Sequence, residues 1–156
     1  MNLLQPNKIL DKINPVGRGD LLPMKKEQLL NLMKDVLLRE ERVLFAYAYG
    51  SFLSSESFRD LDIGIYVRNP EDNPFVLSTD IKTSLSLLAR VEQLGLTADH
   101  FDVQIINQAP FTFLKRIFQE GILLLDRDPD LRTDLVEQVS LKYRECAGIL
   151  AETSLR

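Results

Sequence analysis

The sequence predicts an α/β protein, more narrowly an α+β fold, with a small mixed sheet of about four strands flanked by helices. Four short apolar segments are rich in strand-forming residues or alternate with a period of two. Segments whose apolar residues recur at helical spacing lie before, between and after them. The 156 residues suffice for one hydrophobic core but not for two comfortable domains. A single domain is therefore expected.

The N-terminal segment and the first helix set the start of this domain. Residues 1–23 are predicted to form an irregular extension, because three prolines and two glycines punctuate them. Residues 24–150 are predicted to form the compact domain. An amphipathic helix is expected over residues 25–40, where the apolar positions recur every three or four residues. These positions are Leu29, Leu32, Met33, Val36 and Leu37.

Strands are predicted for four segments. Residues 43–49 are apolar and rich in aromatic residues, so they indicate a buried strand. Residues 60–67 alternate between aliphatic and other side chains, which is typical of a strand with one face on the core. Residues 101–106 and the brief apolar run 121–125 are the third and fourth candidates.

The segments between and after these strands are predicted to be loops and helices. Residues 68–79 read as a loop, with Ser78 or Thr79 capping a helix that stops near Gly95. A short helix is expected over residues 109–119. A final helix is expected to start at Asp128-Pro129, where an acidic cap precedes a proline in the first turn.

Composition excludes several classes of function. The net charge of −4 argues against direct nucleic-acid binding, which requires clustered basic residues. Cys146 and His100 are the only residues of their types, so the chain cannot build a cysteine or multi-histidine zinc site or a conventional thiol dyad. No segment approaches the roughly 20 apolar residues of a membrane span, and the N-terminus lacks a secretory pattern. A cytoplasmic location without a membrane partner is expected.

Three carboxylates are predicted to converge on one face of the sheet. In the segment 60–67 the odd-numbered residues are aliphatic and face the core, so Asp60 and Asp62 project together from the opposite face. Asp102 occupies the equivalent face of the third strand if the two strands are neighbours. Side-by-side carboxylates repel, and a bound divalent cation removes that repulsion. Oxygen ligands suit Mg²⁺, and three carboxylates are enough for two ions.

Gly50 and Ser51 follow the first predicted strand directly. A glycine there permits close backbone approach to a ligand, and the serine offers a hydroxyl and a backbone N–H to phosphate oxygens. The two residues are therefore candidates for binding the phosphates of a nucleoside triphosphate.

Gly50-Ser51 after a strand, Asp60-x-Asp62 in the next strand and Asp102 in a later one resemble the pattern of the DNA-polymerase-β-type nucleotidyltransferase superfamily. The small size resembles its minimal members. The segment Glu120–Pro129 is similar to the MntA-type antitoxins of bacterial HEPT–MNT toxin–antitoxin pairs. The resemblance covers roughly residues 24–144.

The resemblance implies a function and a role for each matched residue. Asp60, Asp62 and Asp102 would bind two Mg²⁺ ions and would be catalytic, whereas Gly50 and Ser51 would bind the nucleotide. The implied reaction transfers AMP from ATP to a tyrosine hydroxyl of a cognate HEPT-type toxin and thereby silences it.

Two features depart from the family pattern. Only eight residues separate Ser51 from Asp60, and Phe52 replaces the arginine that commonly follows the Gly-Ser pair, with Arg59 as a candidate substitute. These departures keep two alternatives open. One is a non-catalytic antitoxin that neutralises its partner by occlusion, and the other is a transferase acting on a small molecule.

Overall fold

The computed structural model describes residues 25–55 and 59–154. The predicted extension over residues 1–23 lies outside them, and the domain limits of 24 and 150 stay a prediction. The elements, in chain order, are α1 (Lys25–Leu38), β1 (Val43–Tyr49), α2 (Ser51–Ser54), β2 (Leu61–Val67), α3 (Pro74–Val91), a 3₁₀ turn (Ala98–His100), β3 (Phe101–Ile105), α4 (Phe111–Glu120), β4 (Ile122–Asp126) and α5 (Pro129–Ser154).

The four strands form one mixed sheet in the order β3-β2-β1-β4. The central strand β1 is antiparallel to both β2 and β4, whereas β2 and β3 are parallel. The parallel pair is connected through α3, as a crossover between parallel strands requires. The predicted α/β class and the four-stranded mixed sheet are confirmed.

Helices cover the two faces of the sheet and produce two apolar clusters. On one face, α1 and α3 pack against the aliphatic residues of the strands, including Leu61, Ile63 and Ile65, which are fully buried. On the other face, α4 and α5 pack against Phe45 and Tyr47 of β1. The predicted alternation of β2 is therefore confirmed, and the even-numbered side chains of β2 point to the α4/α5 face.

The start of α3 differs from the sequence prediction. The side chain of Asn73 accepts hydrogen bonds from the backbone N–H groups of Phe75 (2.9 Å) and Val76 (3.3 Å), and Pro74 occupies the first helical turn. Asn73 is therefore the cap, and the predicted capping by Ser78 or Thr79 was wrong. The hydroxyl of Ser78 instead donates to the carbonyl of Val103 at 3.0 Å and joins α3 to β3.

The final helix begins as predicted. Asp128 accepts a hydrogen bond from the backbone N–H of Leu131 at 3.1 Å, so it caps α5, and Pro129 follows in the first turn. Within the part of the chain that the structure describes, no helix is both long enough and apolar enough to cross a membrane.

Candidate active site

Two of the three predicted carboxylates are direct neighbours across the sheet. The parallel register of β2 and β3 pairs Asp62 with Asp102, on strands that lie about 4.8 Å apart. Both residues are half-buried and belong to the even-numbered face that α4 and α5 cover only in part. Asp60 lies just before β2 and is exposed. The sheet thus brings the three acidic residues to one end of the β2–β3 pair.

The electrostatics of this end are unfavourable for a charged carboxylate. The pKa of Asp62 is raised to about 6, first by partial burial and then by the negative charges of Asp102 and Asp60. The pKa of the Tyr49 hydroxyl is also raised, first by burial and then by Asp62 and Asp102. The end of the β2–β3 pair therefore concentrates negative charge.

Gly50 has a backbone conformation that only glycine adopts readily. Its φ of +94° and ψ of −171° lie in a region that is essentially closed to other residues. A Cβ atom at this position would collide with the carboxylate of Asp62 and would lie 3.1 Å from its Cγ. The absence of a side chain at residue 50 therefore lets the turn after β1 approach Asp62 closely.

A cleft of about 580 Å³ opens beside this turn. Gly50, Ser51 and Asp62 line one side of it, and Phe113 and Arg116 of α4 line the other. A cleft of this size is within the range of small-molecule sites. The nucleotide-binding candidates Gly50 and Ser51 therefore share a cavity with one of the predicted metal ligands.

Tyr49 lies at the floor of the cleft. It is paired with Asp62 across β1 and β2, and its ring contacts the ring of Phe113 edge-on at 5.6 Å between centroids. Its buried hydroxyl has no hydrogen-bond partner among the residues that the structure describes. Because its raised pKa keeps it protonated, this hydroxyl is a donor beside the carboxylates.

The carboxylates are chemically suited to Mg²⁺, although their side chains are not arranged as a complete set of metal ligands. Among the described residues, no group of three acidic, histidine or cysteine side chains is close enough to hold an ion. Asp102 instead accepts a hydrogen bond from Gln104 at 3.2 Å. Burial and the neighbouring negative charges both raise the pKa of Asp62, and hard oxygen donors in such a place are the type of ligand that a divalent cation stabilises. Asp60, Asp62 and Asp102 would hold it.

The residue after the Gly-Ser pair has a structural role. Phe52 is fully buried in the cluster beneath α1 and α3, so this position cannot supply a cation to the cleft. The helix that contains it, α2, has only four residues and adds little dipole at its start. Arg59, the predicted substitute, is exposed and does not line the cleft.

Asp99, the acidic residue three positions before Asp102, lies in the 3₁₀ turn before β3, is exposed and does not line the cleft.

Sequence reasoning missed the residues of α4 that face the cleft, namely Phe113, Arg116 and Glu120. Their spacing of three and four residues marks one stripe of the helix, but only the position of α4 over β1 brings that stripe to Gly50.

We expect the substitution Asp62→Asn to stabilise the protein at pH 7. The folded-state pKa of about 6 exceeds the ordinary value of 3.8, so the folded state favours the protonated carboxyl. The stabilisation from this group is complete below pH 3.8 and is lost as the pH rises through 6. The neutral amide avoids that loss and is expected to add about 1 kcal/mol at pH 7, after allowance for solvent screening. Thermal unfolding at several pH values measures the difference.

Asp99→Asn is the matched control, because that carboxylate is exposed and does not line the cleft. The advantage of Asp62→Asn should shrink toward pH 4, and Mg²⁺ should stabilise the natural protein more than the variant. An advantage that is equal at pH 4 and pH 7 would contradict the electrostatic explanation.

Comparison with known proteins agrees with this fold. Residues 31–130 match the family model described as "Polymerase beta, Nucleotidyltransferase". This match spans more than half of the chain, and the chain belongs to the polymerase-β nucleotidyltransferase family. No curated protein gives a significant sequence match.

Solved structures with a similar fold include toxin–antitoxin pairs. A crystal structure of the MntA–HepT pair matches with a TM-score of 0.53 at 14% identity, over 83% of this chain and 99% of that one. A toxin–antitoxin structure with AMP-PNP matches with a TM-score of 0.54 at 15% identity, over 80% and 98%. A structure from Shewanella oneidensis matches with a TM-score of 0.51 at 14% identity, over 83% and 98%. The fold is therefore similar to that of MntA.

Proposed function

We propose that this protein is a cytoplasmic, magnesium-dependent nucleotidyltransferase that acts as an antitoxin. It transfers AMP from ATP to a tyrosine hydroxyl of a cognate HEPT-type toxin. The observation that carries the proposal is the juxtaposition of Asp62 with its neighbour Asp102 and with the Gly50-Ser51 turn, at the edge of one cleft.

The cleft is suited to the triphosphate of ATP. The absence of a side chain on Gly50 lets the turn lie against Asp62, and Ser51 is exposed at the cleft surface, where its hydroxyl and backbone N–H would be available to phosphate oxygens. Mg²⁺, held by Asp60, Asp62 and Asp102, would neutralise the phosphates and polarise the reacting phosphoryl group. The acidic end of the sheet and the turn after β1 therefore have complementary roles.

The transfer is a single in-line displacement. The tyrosine oxygen of the toxin forms a bond to the α-phosphorus, the bond from that phosphorus to the bridging oxygen of the β-phosphate breaks, and pyrophosphate leaves. The proton of the attacking hydroxyl passes to a carboxylate, for which half-exposed Asp102 is the candidate because it lies beside Asp62 and is accessible from solvent.

The similar structures support a HEPT-type toxin as the partner and ATP as the nucleotide. One is a complex of MntA with HepT, and another contains AMP-PNP. The match covers nearly the whole of each of those chains, so this protein has the elements of a complete minimal transferase fold.

Mass spectrometry of the co-expressed toxin tests this function. We expect the toxin to gain the mass of one or more AMP groups when it is produced with this protein. The double variant Asp60→Ala/Asp62→Ala is expected to abolish that gain, because it removes two of the three carboxylates. In vitro, the transfer should require ATP and Mg²⁺ and should stop with EDTA.

Asp99→Ala is the matched control and should modify the toxin like the natural protein, because Asp99 is an exposed carboxylate before β3. A toxin that is inhibited but unmodified would contradict the transferase function and support inhibition by occlusion. AMP found on a small molecule instead would assign a different acceptor.

A further inference from the structure

The cleft contains one cationic side chain among the residues that the structure describes, and that side chain is Arg116. It lies on α4, across the cleft from the Gly50-Ser51 turn. The other ionisable groups that line the cleft are Tyr49, Asp62 and Glu120, which are neutral or acidic. A nucleoside triphosphate is strongly anionic, so the side of the cleft that receives its phosphates needs a positive charge.

Arg116 is held only weakly in the present structure. Its Nε atom lies 3.8 Å from the carboxylate of Glu120, one turn further along α4, and the two side chains are 76% and 70% exposed. Ion pairs with such exposure contribute little, because water screens them and both side chains lose freedom. The guanidinium is therefore able to exchange Glu120 for a stronger anion.

The neighbouring cations are directed elsewhere. The ammonium of Lys115 lies over the ring of Tyr143 at 5.6 Å, and that of Lys142 lies over the ring of Phe111 at 5.1 Å. Both therefore contact aromatic rings in the packing of α4 against α5. The stripe of α4 that contains Phe113, Arg116 and Glu120 faces the cleft.

We propose that Arg116 binds the β- and γ-phosphates of the nucleoside triphosphate and thereby stabilises the departing pyrophosphate. The planar guanidinium donates two parallel N–H groups and matches a phosphate better than an ammonium does. In the absence of nucleotide, Glu120 pairs with Arg116 and keeps it at the mouth of the cleft. This inference rests on the proposed function, because it requires a triphosphate in the cleft.

Calorimetric titration with ATP, ADP and AMP in the presence of Mg²⁺ tests the role of Arg116. We expect Arg116→Ala to weaken ATP binding about 10- to 100-fold, the effect of losing charge-assisted hydrogen bonds. AMP binding should change less than about twofold, because AMP lacks the two phosphates. Arg116→Lys should restore part of the affinity. Glu120→Gln should tighten ATP binding about two- to threefold, because it removes the competing anion.

Lys115→Ala is the matched control, since it removes the same charge from the adjacent position of α4. Arg59→Ala tests Arg59, which the sequence offers as a substitute for the arginine that commonly follows the Gly-Ser pair. Equal ATP affinity of Arg116→Ala and Lys115→Ala, or a loss of AMP affinity as large as that of ATP, would overturn the role of Arg116 and leave the proposed function intact. Failure of the natural protein to bind ATP would overturn both.

Discussion

Gly50→Ala is expected to abolish transfer and to destabilise the fold. Alanine at φ +94° and ψ −171° is strained, and its Cβ would collide with the carboxylate of Asp62. Backbone strain and overpacking together should cost about 2–4 kcal/mol of unfolding free energy. Because Asp62 or the turn must move to relieve the collision, transfer should fall at least about 100-fold, the usual result of misplacing reacting groups by an ångström.

Gly148→Ala is the matched control for this substitution. Gly148 lies in α5, and a Cβ there meets nothing within 4 Å, so alanine should stabilise the helix by about 0.5–1 kcal/mol and leave transfer unchanged. Urea unfolding gives the free energies, and the AMP content of the toxin gives the activity. An active Gly50→Ala protein of natural stability would show that the turn does not need to approach Asp62.

The pairing of Asp62 with Asp102 could be predicted because it depends on a local period. Alternation fixes which face of a strand a residue occupies, and both segments contain aliphatic residues at every second position. The prediction needed only one tertiary assumption, that the two strands are neighbours. The structure meets that assumption through the β2–α3–β3 crossover.

The cleft could not be predicted in the same way. Arg116 and Phe113 reach the Gly50 turn only because β4 joins the sheet beside β1 and sets α4 over that strand. The strand order depends on which faces of the sheet and the helices become buried. It leaves no periodic signal in the sequence of α4. The start of α3 was missed for a different reason, since exposed Phe75 and Val76 break the apolar pattern in the turn that Asn73 caps.

The segment Glu120–Pro129, which resembles MntA-type antitoxins, has a structural explanation. A Cβ on Gly121 would lie 2.9 Å from the carbonyl oxygen of Ala48, so only glycine allows β4 to begin so close to β1. Asp128 caps α5. Arg127, between β4 and α5, points back to the end of α1. Apart from Glu120, which lines the cleft, these residues of the segment fix the fold around the site.

Arg127→Ala is expected to produce a large loss of stability although Arg127 lies outside the site. Its guanidinium donates to the carbonyl oxygens of Val43 (2.6 Å), Leu38 (2.6 Å), Glu40 (2.8 Å) and Leu37 (3.5 Å). These carbonyls belong to the end of α1 and the connection to β1. The last turn of α1 has no basic residue of its own, so Arg127 supplies the positive charge that this helix end favours.

Truncation leaves these carbonyls without their charged donor, and we expect a loss of about 3 kcal/mol in the free energy of unfolding. Arg127→Lys should recover less than half of it, because one ammonium cannot span carbonyls on both sides of the turn. Arg68→Ala is the control, since exposed Arg68 donates one long bond of 3.4 Å to the carbonyl of Glu41, and it should cost less than about 0.5 kcal/mol. Urea unfolding followed by circular dichroism measures all three.

The same variants separate a structural role of Arg127 from a role in the site. Arg127 does not line the cleft, so the folded fraction of Arg127→Lys should bind ATP with the affinity of the natural protein. A variant of natural stability that has lost ATP binding would instead place Arg127 in the nucleotide site. If Arg127→Ala lowers the free energy of unfolding no more than Arg68→Ala does, water replaces the guanidinium at the end of α1.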